Sequence, residues 1–397
     1  MKLARRLDHI EPFYVMECAK AAQRIAASPA CDPAQGGERM IFLNIGEPDF
    51  TAPPLVQEAA ERCIRDGRTQ YTEAMGLPAL REALSSWYRQ RFGLDVPARR
   101  IMVTAGASAA LQLACLALFE AGDEVLMPDP SYPCNRHFVA AAEAVARLLP
   151  TTPAQRFQLD ADAVAHAWSP ASRGVLLASP SNPTGTSIHP DELRRIDAVV
   201  RGHDGVTIVD EIYLGLSYDD TFGHSALRLC EGSGEHLVSV NSFSKYFNMT
   251  GWRLGWLVLP EALVGPVERL AQNLFICAST VAQHAALACF QPESIAEFER
   301  RRAEFRARRD LVVPALNRLG LAVPVEPDGA FYAYADCSAH AADSWDFAFD
   351  LMQRAHVALT PGRDFGRHDP QRWLRLSFAT GRDRLEEALH RLQRVLA

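Results

Sequence analysis

The sequence predicts an α/β protein built around a mainly parallel sheet of about seven strands, with a smaller α/β unit after it. From about residue 100, short apolar runs alternate with helical patterns, as they do where helices connect parallel strands. The chain is also large: 397 residues that are 48% hydrophobic can bury an extensive core and form two domains.

The strands of the larger unit are short runs rich in valine, isoleucine and leucine, which suit a sheet that is covered on both faces. The predicted strands are IMVT from Ile101, EVLMP from Glu124, ARLLP from Ala146, GVLLAS from Gly174, VTIVD from Val206, HLVSVNS from His236 and GWLVL from Gly255.

Two helical stretches follow these strands. Residues 260–290 fit one helix, and residues 294–320 fit a second, charged helix that ends at Gly320. The smaller unit then contributes the strands GAFYAYAD from Gly329 and WLRLSFA from Trp373, separated by a helix and the loop PGRDFG. We expect residues 45–290 to form the large domain, and residues 1–44 with 291–397 to form the small one.

Composition excludes several classes of protein. A net charge of -7 and an isoelectric point near 6.0 give no basic surface for nucleic acid. The nine cysteines are scattered singly, so neither a metal site nor a disulfide framework is expected. Charged residues interrupt the N-terminal stretch before a signal sequence could form, and no apolar run is long enough to span a membrane. These features favour a soluble cytoplasmic protein with no membrane partner.

Polar residues follow several of the predicted strands, at the carboxyl ends where open α/β sheets bind their ligands. After IMVT comes a tight turn into a helix whose first N–H groups could hold a phosphate. After the later strands come an amide, a carboxylate with a phenol, and a lysine preceded by two serines. The residues concerned are Gly106, Ala107, Ser108, Asn182, Asp210, Tyr213, Ser242, Ser244 and Lys245.

Taken singly, each of these residues has a simpler explanation: a turn glycine, a turn asparagine or a surface lysine. Their joint appearance at the strand ends of one sheet is what indicates a site. The chain has neither the G-x-x-x-x-G-K-[ST] phosphate loop nor the G-x-G-x-x-G dinucleotide motif. In the stretch NSFSKYFNMTGWRLGW, Lys245 and Arg253 are two cations without a neighbouring acid, which suggests an anion supplied by a ligand.

These motifs together resemble the class I/II aminotransferases, pyridoxal 5'-phosphate (PLP) enzymes of fold type I. The resemblance runs from LNIGEPDF through YTEAMGLPALREAL, DPSYP, SNPTG, DEIY and SFSKYFNMTGWRLGW to WLRLSFA, almost the whole chain. It implies that the large domain binds PLP and that the protein moves an amino group from an amino acid to a 2-oxo acid. The exchange would be ping-pong and would pass through an internal aldimine.

The resemblance also implies a role for each residue near the cofactor ring. Lys245 would form the imine with the cofactor aldehyde and then shuttle protons, which requires that its ordinary pKa of about 10.4 be lowered. Asp210 would pair with the pyridinium nitrogen, so that the ring accepts electrons. Tyr213 and Asn182 would hydrogen-bond the phenolic oxygen, and Tyr132 would stack on the ring.

Further from the ring, the resemblance implies contacts to the phosphate and to the substrate. Arg375 would grip the substrate α-carboxylate, helped by Asn182 and the backbone near Gly46. Tyr71 would reach the phosphate of a neighbouring subunit, so that a homodimer would share its sites. The remaining phosphate contacts would come from Gly106, Ala107, Ser108, Ser242, Ser244 and Arg253.

Two alternatives remain open from the sequence. A β-eliminating lyase of the same fold would use the same cofactor and lysine. A PLP-sensing regulator would carry the same domain behind a DNA-binding module, for which the roughly forty residues before LNIGEPDF leave no room.

The sequence also bears on the amino donor. A dicarboxylic donor needs a second cation for its distal carboxylate. Arg136 is a candidate, although helical phase could equally turn it to solvent. Ala107 and Ser108 stand where some relatives carry glycine or lysine, and Phe13 and Tyr14 would give an apolar entrance. We therefore predict that neutral or aromatic amino acids are better donors than aspartate, with 2-oxoglutarate as the acceptor.

Overall fold

The computed structural model describes residues 2–12, 14–229 and 235–396. Its strands are β1 (Ile41–Phe42), β2 (Ile101–Thr104), β3 (Glu124–Asp129), β4 (Val145–Pro150), β5 (Ser172–Ala178), β6 (Val206–Asp210), β7 (Leu237–Ser242), β8 (Gly255–Val258), β9 (Tyr332–Asp336), β10 (Val357–Ala358), β11 (Thr360–Pro361) and β12 (Trp373–Ser377).

The helices are α1 (Tyr14–Ala26), α2 (Pro54–Arg65), α3 (Pro78–Phe92), α4 (Gly106–Leu118), α5 (Pro133–Ala141), α6 (Ala161–Ala167), α7 (Pro190–Gly202), α8 (Ala226–Leu229), α9 (Glu261–Leu274), α10 (Thr280–Ala286), α11 (Pro292–Arg318), α12 (Ser344–Arg354) and α13 (Arg382–Leu396). No helix in the described part of the chain combines the length and the apolar composition that a bilayer crossing requires.

A seven-stranded sheet forms the centre of the larger unit, in the order β2-β8-β7-β6-β5-β3-β4. Strand β8 runs antiparallel to both of its neighbours, and the other pairings are parallel. All seven predicted strands are therefore confirmed. The carboxyl ends of β5, β6 and β7 lie at one edge of this sheet because these strands are parallel and adjacent.

Helices cover both faces of this sheet, which explains why its central strands are mainly apolar. Neighbouring residues of one strand point to opposite faces. Ile208 of β6 packs in a core cluster with Leu111 of α4 and Val267 of α9. The next residue, Val209, packs on the other face with Ile196 of α7.

The smaller unit carries two short sheets. One has the antiparallel order β11-β12-β9, and the other pairs β1 with β10 in parallel. Helix α1 packs its buried Cys18 and Ala22 against Met352 and Ala358 of this unit. These sheets and α1 are drawn from residues 1–44 and 291–397, and the domain boundaries at 45 and 290 stay a prediction.

The single helix predicted over residues 260–290 is wrong. Helix α9 ends at Leu274, and Ile276 has a φ of 65°, which a right-handed helix cannot accommodate. The side chain of Ser279 then accepts a hydrogen bond from the N–H of Ala282 and begins α10. The second predicted helix is confirmed as α11, and Gly320 just beyond it has a φ of 77°.

Candidate active site

A cavity of about 560 Å³ lies at the carboxyl ends of β5, β6 and β7, between the larger sheet and residues of the smaller unit. Among the site residues expected from the sequence, all except Gly106 and Tyr71 line it. They are Gly46, Ala107, Ser108, Tyr132, Asn182, Asp210, Tyr213, Ser242, Ser244, Lys245, Arg253 and Arg375.

Lys245 stands in this cavity, three residues after the end of β7. Its Nζ donates a hydrogen bond to the carbonyl of Gly46 at 2.7 Å and lies 5.8 Å from the ring centres of Tyr213 and Phe331. Loss of hydration in these surroundings lowers the pKa of Lys245 to about 8, against the opposing effect of the Glu47 carboxylate. A substantial fraction of the amine is therefore neutral near physiological pH.

Asp210 is the last residue of β6 and is only 4% exposed. Its Oδ1 accepts a hydrogen bond from the N–H of Ile212 at 3.1 Å. Burial raises the pKa of this carboxyl to about 7 in the absence of a ligand. A buried carboxyl of this kind fits a cationic partner, such as the protonated ring nitrogen of PLP, which would restore its ionised form.

The opposite end of the cavity suits a phosphate. Helix α4 begins at Gly106, and no side chain caps its first turn, so the N–H groups of Ala107 and Ser108 at the cavity wall are available to an anion. A Cβ on Gly106 would stand 2.8 Å from Nη2 of Arg253, and one on Gly255 would stand 2.8 Å from the N of Ala107. These two glycines let the guanidinium and the helix terminus approach each other.

The serine hydroxyls complete this end of the cavity. The hydroxyl of Ser242 lies 2.9 Å from that of Ser244, and the N–H of Ser244 donates to Ser242 Oγ at 3.0 Å. Arg253 is held by its own backbone turn, with a φ of 51° and a hydrogen bond from Nη1 to the carbonyl of Thr250 at 3.0 Å. Guanidinium, amide and hydroxyl donors match the oxygens of a phosphate.

Arg375 of β12 approaches the cavity from the smaller unit and is only 3% exposed. Its Nη1 donates to Oδ1 of Asn182 at 2.9 Å and its Nη2 to the carbonyl of Asn44 at 2.6 Å. Its guanidinium carbon lies 4.5 Å from the ring centre of Tyr332 and 4.9 Å from that of Phe365. Both amide contacts and both rings fix the orientation of the guanidinium, as two-pronged binding of a carboxylate requires.

The sequence analysis missed Tyr332, which also lines the cavity. Its hydroxyl lies 2.7 Å from that of Tyr213, and a Cβ on Gly46 would overlap it. The phenol of Tyr213 therefore has a hydrogen-bond partner within the protein. The motif GAFYAYAD predicted the strand correctly, but nothing in it distinguishes the tyrosine at the cavity from Tyr334, which packs against Trp373.

A second group that the sequence analysis missed comes from helix α1. Val15, Met16, Ala19 and Gln23 line the cavity as one face of this helix. The i, i+1, i+4, i+8 spacing fits a helical face, but only the fold shows what that face covers. Tyr14, expected at the entrance, instead packs edge-on against Trp345, with ring centres 5.8 Å apart. Phe13 lies outside the described residues.

Two further residues lie away from the cavity. Tyr71 is 79% exposed and does not reach the cavity of its own chain. Arg136 lines a separate surface cavity of about 1040 Å³ and is only 7% exposed. Its guanidinium donates to Glu11 and to the carbonyl of Asp364, each at 3.3 Å. Arg136 therefore faces neither the candidate active site nor open solvent, the two positions that the sequence suggested.

Known proteins resemble this chain over almost its whole length. A family model described as aminotransferase class I and II matches residues 38–392. Valine–pyruvate aminotransferase of Mycobacterium tuberculosis is 38% identical over 96% of both chains. Among solved structures, an aminotransferase from Mycobacterium tuberculosis has a TM-score of 0.92 at 37% identity and covers 100% of this chain and 99% of its own. Aspartate aminotransferase from Thermus thermophilus with maleate has a TM-score of 0.90 at 33% identity and covers 100% of both.

Proposed function

The chain belongs to the aminotransferase class I and II family and is a PLP-dependent aminotransferase of fold type I; we propose that the cavity around Lys245 is its active site. The observation that carries this proposal is the arrangement of the cavity itself. It combines an amine of lowered pKa, a buried carboxyl and a cluster of phosphate donors at the strand ends of one sheet.

Near the cofactor ring, we assign each side chain a separate task. PLP, when bound, withdraws electrons from the α-carbon of the amino donor. Nζ of Lys245 would hold the cofactor aldehyde at rest. Once the donor's amino group has displaced it, the freed neutral amine would accept and return the proton of that α-carbon. The carboxylate of Asp210 keeps the ring nitrogen protonated. Tyr213 and Asn182 would donate to the phenolic oxygen, and Tyr132 would pack on the ring face.

The two ends of the site bind anions by different means. Arg375, held by Asn182 and Asn44, orients the α-carboxylate of the donor, and the Gly46 backbone lies beside it. At the far end, the phosphate would be held by the N-terminus of α4 at Gly106, Ala107 and Ser108, by Ser242 and Ser244, and by Arg253.

We also propose that two copies of the chain share their sites. Tyr71 is exposed on its own chain, although the sequence motif that contains it predicts a phosphate contact. A neighbouring subunit would supply the missing phosphate, so the proposal is a homodimer with Tyr71 acting across the interface. For location we propose the cytoplasm, which agrees with the free state of the described cysteines.

For the substrate, we propose a neutral or aromatic amino acid in preference to aspartate. The cations that line the cavity are Lys245, Arg253 and Arg375, and each already has a task in this scheme. Arg136, the candidate for a further cation, is bound to Glu11 outside the cavity. Among the described residues of one chain, a distal carboxylate would therefore have no free cationic partner, which is costly. A preference for aspartate would require a cation from the neighbouring copy.

The remaining wall supports the same proposal, since it includes Val15, Met16, Ile45 and Leu111. The Mycobacterium tuberculosis relative is named for valine and pyruvate, which are both free of a distal carboxylate. The Thermus thermophilus neighbour is named for aspartate, so family membership alone does not determine which amino acid is the donor. The sequence analysis predicted 2-oxoglutarate as the acceptor, but this acid also carries a distal carboxylate, so the same argument about the cavity disfavours it. Its half-reaction should be compared with that of pyruvate, which lacks that group.

Two measurements test these assignments. Borohydride reduction of the purified enzyme followed by peptide mapping should find the cofactor on Lys245, and a label on another lysine would contradict the site. Half-reaction kcat/KM values for alanine, phenylalanine and aspartate should rank aspartate last. A large preference for aspartate would overturn the donor proposal and leave the site assignment intact.

A further inference from the structure

We propose that Asp364 is a positioning residue that fixes helix α1 as a wall of the substrate cavity, and that it thereby controls the binding of donors with large side chains. The proposal rests on the function proposed for the cavity. It adds a residue of the loop PGRDFG, to which the sequence analysis assigned no role in the site and which does not line the cavity.

The side chain of Asp364 holds the first turn of α1. Its Oδ1 accepts a hydrogen bond from the N–H of Tyr14 at 3.0 Å, and its Oδ2 accepts one from the N–H of Val15 at 2.8 Å. These N–H groups belong to the first turn, where a helix has no internal acceptors. Asp364 is fully buried, and its charge lies at the positive end of the helix dipole.

The segment that carries Asp364 is itself tied to the active site. The carbonyl of Asp364 accepts hydrogen bonds from both terminal nitrogens of Arg136, at 3.3 Å. The carbonyl of Phe365 accepts one from the N–H of Ser131 at 2.8 Å, next to the Tyr132 proposed to pack on the cofactor. The ring of Phe365 lies 4.9 Å from the guanidinium carbon of Arg375. Asp364 therefore joins α1 to the groups that hold the cofactor and the donor carboxylate.

The face of α1 that meets the cavity would contact the side chain of a donor. Val15 and Met16 lie in the turn that Asp364 caps, and Ala19 and Gln23 continue the same face. The side chain of alanine is only a methyl group, so its binding would depend little on contact with this wall. Phenylalanine would lie against it. Loosening the first turn should therefore weaken binding of the larger donor selectively, while the reacting groups stay in place.

Asp364→Asn tests the proposal. The amide keeps one acceptor oxygen, but its NH2 group would face an N–H donor of the helix, so the double contact is lost. Asp160→Asn is the matched control, because Asp160 caps helix α6 through the N–H of Ala163, and α6 does not line the cavity.

Hydrogen exchange in the resting, cofactor-loaded enzyme gives a readout that does not depend on activity. Amides of residues 14–26 should exchange roughly fivefold faster in Asp364→Asn than in the parent enzyme. In Asp160→Asn they should exchange at the parent rate. In the donor half-reaction, KM for phenylalanine should rise roughly fivefold in Asp364→Asn, with kcat and the KM for alanine within about twofold of the parent.

Unchanged exchange of α1 in Asp364→Asn would overturn the proposal, and so would equal increases in KM for alanine and phenylalanine. If the parent enzyme prefers aspartate, the donor proposal fails, and the exchange measurement still decides the role of Asp364. If Asp364→Asn does not fold, Met16→Ala tests the same wall, because Met16 is 53% exposed and its truncation removes little buried contact. The KM for phenylalanine alone should rise, and an unchanged value would contradict the proposal.

Discussion

The pKa of Lys245 makes the capture of PLP by the cofactor-free enzyme a quantitative test of the site. Only a neutral amine attacks an aldehyde. Burial lowers the pKa of Lys245 from 10.5 to about 8, so the neutral form persists at lower pH than in an ordinary lysine. At about pH 7.5, a pKa near 8 leaves roughly a quarter of the amine neutral, against about one part in a thousand for an ordinary lysine. The structure thus predicts roughly 200-fold more reactive amine at that pH.

The assay is rapid mixing of cofactor-free enzyme with PLP across a pH series, followed by the absorbance of the bound cofactor. The rate should rise with pH and level off above about 8. α-N-Acetyl-lysine, measured with the same PLP solutions, corrects for ionisation of the cofactor itself and should keep rising to much higher pH. Lys245→Ala should give no covalent signal.

Glu47→Gln adds a directional test. The Glu47 carboxylate favours the charged form of Lys245. Removing this carboxylate should therefore move the midpoint of the plot of capture rate against pH to lower pH. The shift should be small, because Glu47 is exposed and water screens its charge. A midpoint near the ordinary value of a lysine, or a profile that matches α-N-acetyl-lysine, would refute the reasoning.

Three further predictions concern Asp210, Arg375 and Tyr71. Asp210→Asn should keep bound cofactor but lose several powers of ten in kcat, because a neutral ring accepts electrons poorly; steady-state rates and the cofactor spectrum test this, and near-normal turnover would contradict it. Arg375→Lys should lower kcat/KM for donor and acceptor alike by roughly 30-fold, since one of two charged hydrogen bonds is lost; an unchanged value would mean that Arg375 does not bind the carboxylate. Mixing Lys245→Ala with an inactive Tyr71 variant should restore part of the activity in hybrid dimers, and no recovery after verified subunit exchange would count against a shared site.

Much of the large unit could be predicted from the sequence because local pattern and tertiary environment agree there. The strands of the seven-stranded sheet are mainly apolar, and β2, β6 and β7 are almost entirely buried. The edge strand β4 is partly exposed. Parallel strands bring their carboxyl ends to one edge, so residues far apart in sequence, such as Asp210 and Lys245, were expected together and do line one cavity.

The break near Ile276 could not be predicted in the same way. Residues 260–290 contain the apolar spacing of a helix throughout, and neither a glycine nor a proline marks the interruption between α9 and α10. The left-handed conformation of Ile276 is unfavourable for a β-branched residue, so it depends on packing that no local pattern records.

Arg136 shows most clearly why selectivity is harder to predict than chemistry. Helical phase allowed Arg136 to face either the substrate or solvent. In the structure its partners are Glu11 and Asp364, which lie 125 and 228 residues away in sequence. Once Glu11 neutralises Arg136 and the Asp364 carbonyl fixes it, it cannot serve a distal carboxylate. Sequence motifs predict the charged residues at the reacting centre, because every enzyme that uses this cofactor needs them. The charge available to a donor side chain depends instead on contacts between segments that are distant in sequence. Donor choice in this enzyme should therefore change through residues such as Asp364 and those of α1, while the residues that bind the cofactor stay the same.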